Sequence, residues 1–222
     1  MPGKTQKFAD FETFKNCFSF LFTQLQEGCP MKGKWRKDWF RNENPLLVEL
    51  GCGKGEYTVG LARNNRDRNY IGVDIKGNRI WTGAKQALEE NLGNVAFLRS
   101  RIDFIDHCFA EGEVDEIWLT FPDPQPQKTR ARKRLTHPLF LSRYRRFLKP
   151  GGLIHLKTDS TSLYEYTLEV IAEQNLKLRW HTNDLYRNCP PDRLELINIK
   201  TYYEALFTGK GEDIKYIEFS LG

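Results

Sequence analysis

Short apolar runs separated by stretches of helical period dominate the chain from residue 46 onward. Leu46–Leu50, Tyr70–Asp74, Val95–Leu98, Glu116–Thr120, Gly152–Lys157, Leu176–Trp180 and Tyr216–Phe219 predict seven strands. Between them, Ile80 to Asn91 puts Ile80, Ala84, Ala87 and Leu88 on one face, with Gly93 as the expected C-terminal stop. Ser160 to Gln174 repeats the pattern with Leu163, Leu168 and Ile171. Strands alternating with helices predict an α/β, Rossmann-like, doubly wound and mainly parallel seven-stranded sheet with helices on both faces. Such sheets bind ligands at the C-terminal strand ends, beside the topological switch point. Upstream, Asp10 to Glu27 spaces Phe11, Phe14, Phe18, Leu21, Phe22 and Leu25 as one amphipathic helix. Gly28 to Asn44 then sets five Lys or Arg around Trp35, Trp39 and Phe40, which fits either a packed surface arm or a nucleic-acid contact. The expected division is 1–44, a helix and a basic, aromatic arm, followed by a domain over 45–222.

Composition narrows the class. A 28% charged and 40% hydrophobic chain of 222 residues is ordinary for a soluble globular protein, and it holds no run of 18 apolar residues that would span a membrane. Met1 to Asp10 lacks the apolar core of a signal peptide. Cysteines 17, 29, 52, 108 and 189 never form a C-x-x-C pair, which points to reduced thiols in the cytoplasm and to no metal site. Net charge is only +5, yet residues 124–158 hold ten of the 34 Lys and Arg and none of the 29 Asp and Glu. A mildly acidic body with one concentrated basic segment is a footprint for phosphate binding.

Two stretches carry candidate chemistry. In Glu116 to Arg134 an apolar run ends in Pro122-Asp123-Pro124, and a dense basic segment follows at once. Prolines on both sides fix the backbone and forbid a helix, so Asp123 is held stiffly at the end of a central strand. The residues fit chemistry on a polyanion, or a proline-rich turn followed by a solvated charged loop. The second stretch is Glu49-Leu50-Gly51-Cys52-Gly53-Lys54-Gly55-Glu56. Its glycines allow a tight turn at a helix N-terminus where a ligand presses against the backbone. Glu56 stands where a dinucleotide fingerprint has its last glycine, and an acid there repels a pyrophosphate. With Glu49 also negative, the pattern favours a cofactor with no phosphate and a positive charge, S-adenosyl-L-methionine (AdoMet). Asp74, ending the second strand, is placed to accept ribose hydroxyls.

Glu49-Leu-Gly-Cys-Gly-Lys-Gly-Glu56, Gly72-Val-Asp74, Phe121-Pro-Asp-Pro124 with its basic tract to Arg134, Lys157-Thr-Asp159 and Thr201-Tyr-Tyr-Glu204 together resemble the bacterial tRNA (guanine-N7)-methyltransferases, within the class I AdoMet-dependent superfamily. The resemblance covers Leu46 to Phe219. It implies a methyl transfer from AdoMet to N7 of a variable-loop guanosine of tRNA, position 46, with no metal, in a monomer or homodimer without an obligate protein partner. By it, Glu49, Gly51, Gly53, Gly55 and Asp74 hold the cofactor and Arg101 to Asp103 lie by its adenine. Asp123 is the catalytic position. Gln127, Lys128, Arg130, Arg132, Lys133 and Arg134 fall in the RNA-contacting loop. Asp159, Thr201 and Glu204 match substrate positions, although Asp159 also reads as an N-cap of the following helix. The family's usual Trp and Lys, two and four residues after the aspartate, are Gln125 and Gln127 here.

Guanine N7 has a free lone pair, so its methylation removes no proton from the nucleophile. That suits a site with no assigned His, Cys or Lys, and His107, His137, His155 and His181 are given no role. The rival readings are an AdoMet-dependent methyltransferase of another RNA or a small molecule, a non-catalytic tRNA-binding module, and an NAD-dependent oxidoreductase.

Overall fold

The computed structural model describes residues 2–20 and 22–222, with the backbone alone at Phe22 and Gln26. The first half runs α1 (Lys4–Thr13), β1 (Cys17–Ser19), α2 (Phe22–Glu27), β2 (Leu46–Leu50), α3 (Glu56–Asn64), β3 (Asn69–Asp74), α4 (Gly77–Glu89), β4 (Val95–Arg99) and β5 (Val114–Thr120). The second half runs α5 (Pro138–Tyr144), β6 (Leu148–Thr158), α6 (Thr161–Glu173), β7 (Lys177–Thr182), α7 (Leu185–Asn188), α8 (Glu195–Asn198), α9 (Tyr202–Thr208) and β8 (Lys215–Ser220).

All eight strands form one sheet in the order β1-β4-β3-β2-β5-β6-β8-β7. β8 runs antiparallel to both of its neighbours and the other pairs are parallel. From β2 the chain builds outward through β3 and β4, then crosses to β5 on the other side. The switch point therefore lies between the C-terminal ends of β2 and β5. Alternate strand residues feed two cores. Val48, Leu50, Ile71, Val73, Ile117, Leu119 and Leu156 pack on one face. Leu47, Tyr70, Phe97, Trp118 and Tyr216 pack on the other, against Tyr57, Ile80 and Ala84 of α3 and α4. Burial on both faces explains why the central strands read as continuous apolar runs.

Each of the seven predicted strands overlaps an observed one; the eighth, β1, is a correction. The single helix expected over Asp10–Glu27 is instead α1, β1 and α2. Its parts at Leu21 and the Phe22 side chain lie outside the described residues. β4 would otherwise leave an open edge, and β1 covers it through Cys17–Phe97, Phe18–Leu98 and Ser19–Arg99 pairing. Asn16 pins the entry: its side chain donates to Ala84 O at 3.0 Å, and its carbonyl accepts from Phe97 N at 2.8 Å. Phe18 then inserts edge-on between Trp35 and Trp39, at 5.0 and 5.1 Å. This pairing and aromatic packing outweigh helical periodicity.

Trp35 is fully buried and its Nε1 donates to Cys108 O at 3.0 Å. The Glu113 carboxylate fastens the same segment, accepting from Gly33 N and Trp35 N. The expected stop of α4 also moves. Asn91, with φ 52°, takes the left-handed turn, two residues before Gly93. Among the described residues no helix is long and apolar enough to cross a membrane.

Candidate active site

The turn out of β2 is locked to the end of β3. Gly51 N and Cys52 N both donate to Val73 O, at 2.8 and 2.9 Å. Gly53 has φ 57°, and a Cβ built there meets nothing within 4 Å, so the turn presents bare backbone to open space. Gly55 is needed for the opposite reason. Its Cβ would stand 2.6 Å from Phe97 Cε1, where the turn packs down on the sheet.

Glu49 lies beneath this turn and is buried. One carboxylate oxygen accepts from Thr58 N at 2.9 Å and from the Thr58 hydroxyl; the other accepts from the Thr120 hydroxyl. Burial pushes its carboxyl above the ordinary Glu range, against the pull of these hydrogen bonds. Among the described residues it has no cationic partner. Asp74 accepts from Gly53 N at 3.0 Å and from Lys76 N at 2.8 Å, one bond per oxygen, which leaves a lone pair on each.

β5 ends at Thr120, and the next five residues make a strained turn. Phe121 (φ 49°) and Gln125 (φ 44°) are left-handed non-glycine residues that bracket Pro122-Asp123-Pro124. Each such residue costs about 1–3 kcal/mol, so surrounding contacts must hold the turn. Phe121 N donates to Lys157 O at 2.8 Å, and Asp123 accepts from Gln125 N at 3.0 Å. The Arg134 guanidinium closes it, donating to Pro124 O at 3.2 Å and to Gln125 O at 3.2 and 3.3 Å while lying 4.3 Å over the Tyr166 ring. Asp123 itself remains exposed.

These pieces meet in one cleft of about 860 Å³ at the switch point, lined by Glu49, Gly51, Gly53, Asp74, Asp123, Lys133, Asp159 and Thr201. A hollow of about 380 Å³ shares Gly51, Asp74, Ile102 and Lys133 with it and adds Arg101, Asp103 and Arg132. Burial also raises the Asp159 carboxyl. Its reading as a helix cap is corrected: Ser160 caps α6, accepting from Leu163 N at 3.2 Å.

Other expected residues stay outside the cleft. Gly55 packs beneath the turn. Gln127, Lys128 and Arg130 are exposed on the loop beyond it. Arg134 is buried and committed to the turn. Glu204 is fully buried, with Lys157 Nζ at 2.8 and 2.9 Å from its two oxygens and Tyr186 donating to it at 2.8 Å. Thr201, which does line the cleft, caps α9 by accepting from Glu204 N at 3.1 Å.

Several cleft residues make contacts that the motifs do not assign. Glu56 accepts from Tyr202 N at 2.9 Å and so ties α9 to the glycine turn. Tyr203, Phe207 and Phe121 form a stacked ladder, at 6.3 and 6.1 Å between centroids. Lys54, Lys76 and Arg79 line the glycine-turn side. The one available signal was the exposed pair Tyr202-Tyr203 on a short helix. The cations come from separate points along the chain and give none.

The residues fit AdoMet. A buried carboxylate without a cation suits a positively charged group, Asp74 keeps acceptors for ribose hydroxyls, and the Gly53 side of the turn is open to a ligand. Among the described residues no group of three or more His, Cys, Asp or Glu is placed to hold a metal ion.

The fold is that of known AdoMet-type methyltransferases. The 16S rRNA methyltransferase KamB superposes with a TM-score of 0.62 at 16% identity, covering 93% of this chain and 96% of that one. The 16S rRNA (adenine(1408)-N(1))-methyltransferase from Catenulisporales acidiphilia gives 0.59 at 17%, covering 84% and 91%. A family described as putative methyltransferase matches residues 43–217. The tRNA (guanine-N(7)-)-methyltransferase of Bacteroides fragilis (strain YCH46) is 50% identical over 99% of this chain and 86% of its own length. That of Christiangramia forsetii is 45% identical over 99% and 98%. Fold and cleft thus define a Rossmann-like methyltransferase. Within that class, the chain belongs to the tRNA (guanine-N(7)-)-methyltransferase family.

Proposed function

We propose that this enzyme transfers the methyl group of AdoMet to N7 of a guanosine in the variable loop of tRNA. The observation that carries the reading is convergence: the glycine turn with Glu49 and Asp74, and the Pro-Asp-Pro turn with Asp123, open into one cleft whose outer loop is cationic. The family relationship supports the substrate, which the fold alone does not specify.

AdoMet, when bound, supplies an electrophilic methyl carbon on a sulfonium sulfur. Glu49 and Asp74 anchor it, the first by opposing its positive charge and the second through the ribose. The guanine N7 lone pair forms the new bond, and the electron pair of the broken carbon–sulfur bond stays on sulfur. No proton leaves N7, so the site needs no general base. The guanine ring gains a positive charge as the bond forms. Asp123 accepts hydrogen bonds from guanine N–H groups, which orients the ring and stabilises that charge. Its rigid turn matters because positioning is worth about 7–11 kcal/mol at best. Asp159 lies in the same cleft to grip the base or ribose, and the aromatic ladder offers the base a stacking surface. Thr201 and Glu204 act indirectly, by holding α9.

The test is incubation with unmodified tRNA transcript and methyl-labelled AdoMet, followed by borohydride and aniline cleavage, which cuts at 7-methylguanosine. One cut in the variable loop, lost in Asp123→Asn, is expected. Label incorporated without such a cut would overturn N7 as the target.

A further inference from the structure

The sequence concentrates positive charge in residues 124–158, whose Arg132 and Lys133 reach one side of the ligand-binding region. The fold assembles a second cationic group, from other elements, in the same cleft. Lys54 on the glycine turn and Lys76 and Arg79 at the start of α4 come from separated positions, yet all three are exposed and line the same cleft as Asp123. None forms an ion pair among the described residues. The acids on their wall are engaged elsewhere: Glu49 with Thr58 and Thr120, Glu56 with the Tyr202 amide, Asp74 with the amides of Gly53 and Lys76. Lys54 is further held 5.0 Å over the Tyr202 ring. Lys133 lines the cleft too, so free cations face it from both the glycine turn and the basic loop.

We propose that Lys76 and Arg79, with Lys54 beside them, form a second phosphate-binding rim. The RNA backbone is then gripped on both sides of the cleft, and the nucleotide between the two grips is presented to Asp123. None of these cations is tied up in an ion pair among the described residues, so each is free to take a backbone phosphate, whose own counterions are then released. This inference rests on RNA being the substrate.

The experiment measures binding of an unmodified tRNA transcript without methyl donor, as log K against log salt. It uses wild type, K76Q/R79Q and the charge-conserving K76R/R79K, with S-adenosylhomocysteine affinity and Tm measured on each. Two lost phosphate contacts should lower the slope by about 1.4–1.8. If the counterion effect vanishes at 1 M, that is a loss of about 25- to 60-fold in affinity at 0.1 M salt. K76R/R79K should keep the wild-type slope, and S-adenosylhomocysteine affinity and Tm should not move. An unchanged slope in K76Q/R79Q overturns the proposal, as does a loss confined to S-adenosylhomocysteine, which would assign these cations to the cofactor. Wild-type protein that neither binds nor methylates tRNA would bring down the functional reading itself. A tRNA-methylating wild type with an unaffected double variant brings down the second rim alone.

Discussion

Lys157 and Glu204 form a fully buried ion pair, and removing one partner is the sharpest test of how α9 is held. Lys157 Nζ lies 2.8 and 2.9 Å from the two carboxylate oxygens and also donates to Leu196 O, so one ammonium joins β6, α8 and α9. Burial lowers the lysine's proton affinity, and Glu204 opposes that shift. Lys157→Met leaves the Glu204 carboxylate buried with only Tyr186 as a side-chain donor. An orphaned buried charge of this kind costs about 3–5 kcal/mol. For a chain of this length each kcal/mol moves Tm by about 2–4 °C, so the expected drop is about 6–20 °C. The double variant K157M/E204Q should recover much of it, because no charge is left unpaired. Urea and thermal unfolding of both singles and the double measure the coupling directly. Because α9 carries Tyr202 and Tyr203 into the cleft beside its cap Thr201, Lys157→Met should also raise the KM for tRNA at temperatures where it stays folded. Single variants that each cost less than about 1 kcal/mol, or a double equal to their sum, would refute the reasoning. So would Glu204→Gln losing activity at unchanged stability, since that outcome marks Glu204 as a direct substrate contact.

Glu49→Gln should match or exceed wild-type stability at pH 7 yet weaken AdoMet binding in calorimetry, by about tenfold for each 1.4 kcal/mol of attraction lost. Because burial raises the Glu49 pKa, the folded state binds more protons than the unfolded one. Glu49 therefore lowers wild-type stability as pH rises from the ordinary Glu range through its folded pKa, and the variant should lose that slope in pH-dependent urea unfolding. Asp123→Asn should cost about 10²–10³ in kcat through lost charge stabilisation. Asp123 is exposed, so Tm and S-adenosylhomocysteine affinity should be unchanged, and an altered Tm would contradict its placement. Arg134→Ala should lower kcat and destabilise the fold by about 1–3 kcal/mol, because bonds to two half-buried carbonyls and a ring contact are lost together. Trp35→Ala should cost about 3–5 kcal/mol by cavity formation, read by urea unfolding.

The sheet was legible chiefly because its central strands are buried on both faces, and such segments announce themselves as apolar runs such as Leu46–Leu50 and Ile117–Thr120. What escaped was decided by contacts far apart in sequence. Nothing local in Phe14–Phe20 distinguishes a helix face from a strand; the open edge of β4 and the grip of Asn16 on Ala84 do. The same holds in the cleft. Glu49, Asp74 and Asp123 are marked by glycines and prolines that bend the chain beside them. Glu204 looks like an accessible acid in a polar stretch, and only the approach of Lys157 from β6 shows that it is interior. Arg134 reads as one more cation in a basic run, until its guanidinium is found closing the turn that holds Asp123. A charge run records how many cations exist, not which of them have partners.

The arrangement of charge suits a neutral base that is cut into a polyanion and becomes cationic on methylation. Phosphates and carboxylates repel, so an acidic floor alone would reject RNA. Here Glu49 is buried and Asp74 and Asp159 are half-buried in the cleft, with Asp123 exposed along it, while Arg132, Lys133, Lys76 and Arg79 are exposed around it. Screening limits exposed charges to about 8–10 Å at ordinary salt, so each phosphate senses mainly the cations nearest to it. On the proposed two-sided grip, the base between the two phosphates would pass into the acidic interior. There a neutral guanine gains little, but the positive charge that develops during transfer gains more, and only that difference accelerates the reaction. Strain in the Asp123 turn serves the same end, since a carboxylate already fixed in position needs no reorganisation when the charge appears.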